Sequence, residues 1–265
     1  MLTLENIRKT FYAGTVNEVS VFNGLSLHLD EGEYVTIIGS NGAGKSTLFN
    51  LIAGTFLPDG GKITLAGKNL TWLAEHKRSG YIGRLFQDPL RGTAPNMTIE
   101  ENLALAWLRS ARPGIGLSRL SRSDREMFRS RLEVFGLGLE NRMKSPVGLL
   151  SGGQRQALTL LMATLEPPKI LLLDEHTASL DPATAEKVLE LTRKIVAENN
   201  LTCMMITHNI ESALQLGSRT VMMDRGRIVF DISGKEREKT DVPTLLAAFK
   251  ENAGRALADD RVLLQ

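Results

Sequence analysis

The residues Gly39-Ser40-Asn41-Gly42-Ala43-Gly44-Lys45-Ser46 have the spacing of a phosphate-binding loop. Glycines at these positions let successive backbone amides converge on a phosphate without side-chain obstruction. A helix beginning in the loop turns its amino end to the same anion. Lys45 can neutralise β and γ oxygens, Ser46 can bind a magnesium ion, and Thr47 continues the helix. The chemistry implied is the holding of a nucleoside triphosphate. Asp174 and Glu175 end the apolar run Ile170-Leu171-Leu172-Leu173. Acids at the carboxyl edge of a parallel strand stand where α/β proteins place ligands. Beside a phosphate loop, the first acid organises magnesium. The second takes a proton from the attacking water or orients it. Further along, Leu150-Ser151-Gly152-Gly153-Gln154 is another glycine-rich turn. Ser151 and Gln154 have capping-box spacing, and a capped helix with glycines at its start is an anion site. The local argument does not say which anion. Gln87 and His208 follow apolar runs and, taken alone, are ordinary polar residues at strand ends.

Strands and helices must carry these groups. Leu2, Leu4 and Ile7 begin a strand, and Leu25 to Leu29 alternates with period two. Tyr34 to Ile38 is nearly all apolar, as in a buried parallel sheet, and feeds the phosphate loop. Ser46 to Ala53 is expected to be a helix stopped by Gly54, with strands at 63–65 and 81–86 following. The stretch from 88 to 165 has helical character. Thr98 with Glu101, and Ser123 with Glu126, have the spacing of capping boxes, and Gly136 and Gly138 stop the second helix. A helix is expected from Gln156 to Leu165. Strand and helix then alternate again. Asp181-Pro182 opens a helix with Val188, Leu191, Thr192 and Ile195 on one face, 204–207 is a strand, and Asp224-Arg225-Gly226-Arg227 closes a hairpin. This order predicts an α/β fold, a mostly parallel sheet with a helical insertion.

Composition excludes several classes. The 265 residues are 42% hydrophobic and 23% charged, ordinary for a soluble globular protein. A net charge of +2 gives no broad electrostatic case for nucleic acid, and none is expected as a partner. The single cysteine, Cys203, lies in an apolar run and has no disulfide partner in the chain. No secretory signal is visible, and no apolar run approaches the ~20 residues of a spanning helix. Membrane work would need another chain to do the spanning.

The set of motifs resembles the nucleotide-binding subunit of ABC transporters over about 2–232. The matching features are the loop 39–46, Gln87, Leu150 to Gln154, Leu171 to Glu175, Ser179-Leu180-Asp181 and His208, in the family's order. The resemblance implies the phosphate-loop NTPase fold of ABC ATPases, with an antiparallel β-subdomain and a helical subdomain. Residues 1–232 would form one ABC ATPase domain, with its core at 1–87 and 166–232 and its helical subdomain at 88–165. Residues 233–265 would be a short tail. It implies ATP and Mg2+ as cofactors, with Ser46, Gln87 and Asp174 at the metal and Glu175, Gln87 and His208 in catalysis. The loop residues Gly39 to Thr47 would hold one ATP. Ser151, Gly152, Gly153 and Gln154 would meet the γ-phosphate held by an opposite subunit, with Asp181 at the dimer interface. Phe11 stands where a tyrosine usually stacks on adenine, and Tyr12 offers a second ring beside it.

The expected assembly is a homodimer of ATPase subunits on transmembrane permease subunits, at the cytoplasmic face of the cell membrane. An extracytoplasmic solute-binding protein would act indirectly. The stretches 92–102 and 174–182, with His176 where proline is usual, resemble an importer group whose permeases are similar to branched-chain amino-acid permeases. Members of that group are associated with aromatic amino acids such as tryptophan. The alternative is a soluble ABC-type ATPase unconnected with transport, but such chains usually carry two cassettes or a long coiled coil. An ATP-gated protein without turnover has no use for Glu175 and His208, and a nucleotide kinase has none for the Leu150–Gln154 turn. Arg109, Arg112, Arg119, Arg122, Arg125, Arg129 and Arg131 form either a solvated helical face or a contact with a permease helix or acidic headgroups.

Overall fold

The computed structural model of the chain describes residues 1–110, 120–245 and 247. In chain order the elements are β1 (Leu2–Phe11), β2 (Val19–Leu29), β3 (Tyr34–Gly39), α1 (Lys45–Ala53), β4 (Gly60–Leu65), β5 (Lys68–Asn69), α2 (Glu75–Arg78) and β6 (Ile82–Leu85). Then come α3 (Ile99–Ser110), α4 (Arg122–Glu133), α5 (Gly152–Thr164), β7 (Ile170–Asp174), α6 (Pro182–Glu198), β8 (Cys203–Ile206), α7 (Ile210–Leu216), β9 (Arg219–Asp224), β10 (Arg227–Ser233) and α8 (Gly234–Glu238). Two compact units divide them: Met1–Arg78 with the chain from Leu201 onward, and Ser79–Asn200.

In the first unit β1, β2, β4 and β5 form a four-stranded antiparallel sheet ordered β2-β1-β4-β5. Alternation drives it: Leu2, Leu4, Ile7, Leu25, Leu27, Leu29, Ile63 and Leu65 are buried while their neighbours face out. Beside it, β3 pairs in parallel with both β8 and β9, and β9 turns back antiparallel into β10. All of β3 is buried, which is why its sequence is apolar throughout rather than alternating. The one polar side chain near its middle, Thr36, is satisfied by the carbonyl of Ala213 at 3.0 Å and the hydroxyl of Thr220 at 3.0 Å. The hairpin expected at 224–227 is present, with Arg225 and Gly226 both at positive φ, the geometry a tight hairpin turn requires.

Helix α1 is clamped at its carboxyl end by a group the sequence did not mark. Arg78 is fully buried, and its guanidinium donates to the carbonyls of Leu51 and Ile52 at 2.7 and 2.8 Å and of Leu73 at 2.8 Å. Those first two acceptors belong to the last turn of α1, whose carbonyls have no partner within the helix. A cation at that end also complements the helix dipole.

In the second unit β6 and β7 pair in parallel, from Ile82 opposite Ile170 to Leu85 opposite Leu173. Leu171, Leu172 and Leu173 are fully buried, each contributing on the order of 1.5–3 kcal/mol of hydrophobic stabilisation. Helix α3 starts as expected: the Thr98 amide donates to Glu101 at 2.7 Å and the Glu101 amide to the Thr98 hydroxyl at 3.3 Å. The cap expected at Ser123 lies instead at Ser121. The Asp124 amide donates to Ser121 Oγ, and the Ser121 amide donates to the Asp124 carboxylate at 2.7 Å. The short Asp124 carboxylate completes this box, while the Ser123 hydroxyl turns to Ser121. Helix α5 starts at Gly152 rather than near Gln156, because Ser151 caps it directly. Trp107 meets Phe128 edge to face at 5.8 Å, joining α3 to α4. Arg112 and Arg119 lie outside the described residues; Arg122 pairs with Glu126, and Arg125 with Glu100.

Candidate functional site

The phosphate loop leaves the carboxyl end of β3. Gly39 lies against the backbone of β9 so closely that a Cβ there would overlap the Met223 carbonyl oxygen. Downstream, the Ala43 carbonyl accepts from the Gly226 amide at 2.9 Å, and Ser40 Oγ donates to Asp224 at 3.3 Å. The hairpin turn between β9 and β10 therefore supports the loop from below. Gly44 caps α1 without a side-chain hydrogen bond, and the first turn holds no acid. The helix thus presents backbone N–H donors and the positive end of its dipole. Lys45 is buried, with Nζ donating to the carbonyls of Gly39 at 2.7 Å and Ser40 at 3.0 Å. Ser46, Asn41 and Gly42 are exposed, while Thr47 is half-buried.

His208 stands in the same unit. It follows β8, whose Ile206 is level with Ile37 of β3, so the loop and the histidine leave the same edge of neighbouring parallel strands. Its two neighbours fix its position. Thr207 accepts from the Asn209 amide at 3.1 Å, and Asn209 caps α7 through the Ser212 amide at 2.7 Å. Phe11 closes β1, half-buried, with its ring edge-on to Phe56 at 5.2 Å and the Lys9 ammonium 5.3 Å from its centroid. Tyr12 is 70% exposed.

The second unit brings together Gln87, Asp174 and Glu175 at the carboxyl edge of β6 and β7. Gln87 is exposed, and the next residue, Asp88, turns the chain by accepting from the Leu90 amide at 2.9 Å. The loop beyond is knitted by Asn102, fully buried, whose amide bonds the backbone of Ala94, Met97 and Thr98. The sequence marked 92–102 as unusual; Asn102 is the residue that organises it. Asp174 lies 3.7 Å from the Arg84 guanidinium. Glu175 adopts φ 46°, a left-handed conformation uncommon for a non-glycine residue.

Ser151 and Gly152 are exposed at the start of α5, and the capping box is complete: the Gln154 amide donates to Ser151 Oγ at 3.3 Å and the Ser151 amide to Gln154 Oε1 at 3.2 Å. Asp181 caps α6 by accepting from the Thr184 amide at 3.1 Å, and hydrogen bonds from the Thr184 hydroxyl and amide hold its carboxyl below the usual range. His176 is buried, and desolvation pushes its ring down to about 4, keeping it neutral. Cys203 is buried and its thiol is pushed up by burial, which makes it an inert core residue. The described residues contain no group of three or more His, Cys, Asp or Glu placed to hold a metal, and no helix long and apolar enough to cross a membrane.

The chain is similar to known proteins in sequence and in fold. The family model described as ABC transporter matches residues 22–178. The tyrosine transport ATP-binding protein of Clostridioides difficile (strain R20291) is 44% identical over 250 residues, 94% of this chain and 99% of that protein. The methionine import ATP-binding protein MetN of Streptomyces coelicolor is 33% identical over 274 residues, covering 100% of this chain and 74% of that protein. Among solved structures, a dimeric ATP-binding cassette in a post-hydrolysis state bound to ADP and Pi superposes with a TM-score of 0.76 at 28% identity, covering 88% of this chain and 98% of that one.

Proposed function

The chain belongs to the ABC transporter family as an ATP-hydrolysing cassette, and on that premise we propose that it drives import of an amino acid, of aromatic type, through a separate membrane permease. The observation that carries this reading is the 44% identity, along nearly all of both chains, to a protein named for tyrosine transport. The methionine importer relative supports the direction and the amino-acid class. The permease is of the branched-chain amino-acid type, and a solute-binding protein outside the membrane delivers the solute. Two cassettes work as a dimer on the cytoplasmic face, each formed by residues 1–232.

In this reading the loop amides and Lys45 hold the β- and γ-phosphates, and a ring of the Phe11–Tyr12 pair stacks on adenine. Ser46, Gln87 and Asp174 would hold magnesium, since each side chain can offer it a hard oxygen ligand. When bound, the ion would supply charge neutralisation on the phosphate oxygens. Glu175 takes the proton of the attacking water, and His208 contacts the γ-phosphate. Ser151, Gly152, Gly153 and Gln154 bind the γ-phosphate held by the opposite subunit, and Asp181 lies at the interface. The exposure of Ser151 and Gly152 at a capped helix start supports a role in trans.

Phosphate release tests the chemistry. Glu175→Gln is expected to slow turnover by about 10²-fold or more, while ATP-bound dimers accumulate. Near-normal turnover of this variant would remove Glu175 from the role of base.

A further inference from the structure

His176 follows Glu175 directly and is 2% exposed. Its Nε2 lies 3.2 Å from the hydroxyl oxygen of Thr192, a fully buried residue of α6. That hydroxyl donates its one hydrogen to the Val188 carbonyl at 2.8 Å. Toward His176 it can only accept, so the ring carries its hydrogen on Nε2 and donates. Burial, which disfavours the charged ring, agrees with this neutral form.

This bond ties the start of a short and demanding turn to the middle of α6, the helix that the turn leads into. At one end Glu175 holds a left-handed backbone, which persists only where the surroundings over-determine it. The Ala178 amide closes the turn onto the Glu175 carbonyl at 3.0 Å. At the other end Asp181 opens α6, and α6 packs on α5. The fit there leaves no spare room. A Cβ on Gly152 would come within 3.2 Å of Leu180, and one on Gly153 would overlap the Thr184 methyl. The same helix therefore carries the acceptor that anchors His176 and the methyl seated on Gly153. Where proline stands at position 176, ring closure fixes φ. Histidine has no such constraint, and a hydrogen bond can serve in its place.

We infer that the His176–Thr192 hydrogen bond makes His176 a positioning residue for ATP hydrolysis, fixing the turn that holds Glu175 to the helix seated on Gly153. The proposal rests on Glu175 being the base. The bond contributes to the placement of the Glu175 carboxylate and leaves the phosphate loop alone, so its loss affects turnover and not nucleotide binding.

The test compares Thr192→Val, which keeps the shape and removes the acceptor, with Thr192→Ser, which keeps the acceptor. Turnover number, KM and equilibrium ATP affinity are measured for each, beside Glu175→Gln. Thr192→Val is expected to lower kcat about tenfold or more, the scale of effect that misplacing a catalytic group produces. KM and ATP affinity should stay within about twofold, and Thr192→Ser should restore kcat. His176→Leu should reproduce the loss and add nothing in the Thr192→Val background. If Thr192→Val is recovered unfolded, Thr192→Ala against Thr192→Ser gives the same comparison. Unchanged kcat in Thr192→Val with Glu175→Gln inactive overturns the positioning role alone. So does a loss that Ser does not rescue, or one in which ATP affinity falls alongside kcat. Normal turnover of Glu175→Gln overturns the base assignment and this inference with it.

Discussion

Phe11 and Tyr12 are adjacent rings at one strand end, and their surroundings separate them. Phe11 is already engaged by Phe56 and by the Lys9 ammonium, whereas Tyr12 is 70% exposed at φ 53°. An edge-to-face pair contributes about 0.5–1.5 kcal/mol beyond burial, and a base stacked on a ring about 1–3 kcal/mol. Tyr12→Ala is therefore expected to weaken ATP binding about tenfold, and Phe11→Ala chiefly to lower the unfolding temperature, as titration calorimetry and thermal melts would show. The opposite pattern would make Phe11 the stacking ring. The loop residues 39–46 were legible in the sequence because converging amides require glycines at fixed spacing. The capping residues Thr98, Ser151 and Asp181 were legible because their partners lie three residues away. Arg78, Asn102 and the Thr192 partner of His176 were not, since each acts on backbone or side chains that only tertiary structure brings near.

At the scale of elements, the strand that ends in the phosphate loop depends on the hairpin beside it. The Gly226 amide holds the Ala43 carbonyl, and a Cβ at Gly226 would overlap the Val21 carbonyl at φ 75°. Gly226 is wedged between the loop and β2. Gly226→Ala is expected to cost about 2 kcal/mol or more in urea unfolding, combining backbone strain with steric overlap. It should also weaken ATP binding, because the loop loses its support. A destabilised variant with unaltered ATP affinity would separate the hairpin from the loop. The hairpin itself was legible from Asp224 to Arg227; its contact with the loop was not, because nothing local in either segment encodes it. The α4 cap shows a finer limit. Ser121 with Asp124 and Ser123 with Glu126 have the same spacing, and the sequence alone does not rank a short carboxylate against a longer one.

At the scale of the molecule, the alternation of strands and helices was enough to reach an α/β fold, and the motifs in order were enough to reach the family. Transport itself is a property of an assembly. The described residues contain no helix able to cross a membrane, and kinship with import ATP-binding proteins implies a membrane permease as partner. This division makes the central claim open to direct test. A tagged copy of the chain would be drawn from gently solubilised native membranes, and the chains that accompany it identified. Recovery of a multi-span permease of amino-acid type is expected, held through washing and lost when the membrane is omitted. Recovery of the ATPase wholly in the soluble fraction, with no membrane protein bound, would contradict the account and favour an ABC-type ATPase that works apart from transport.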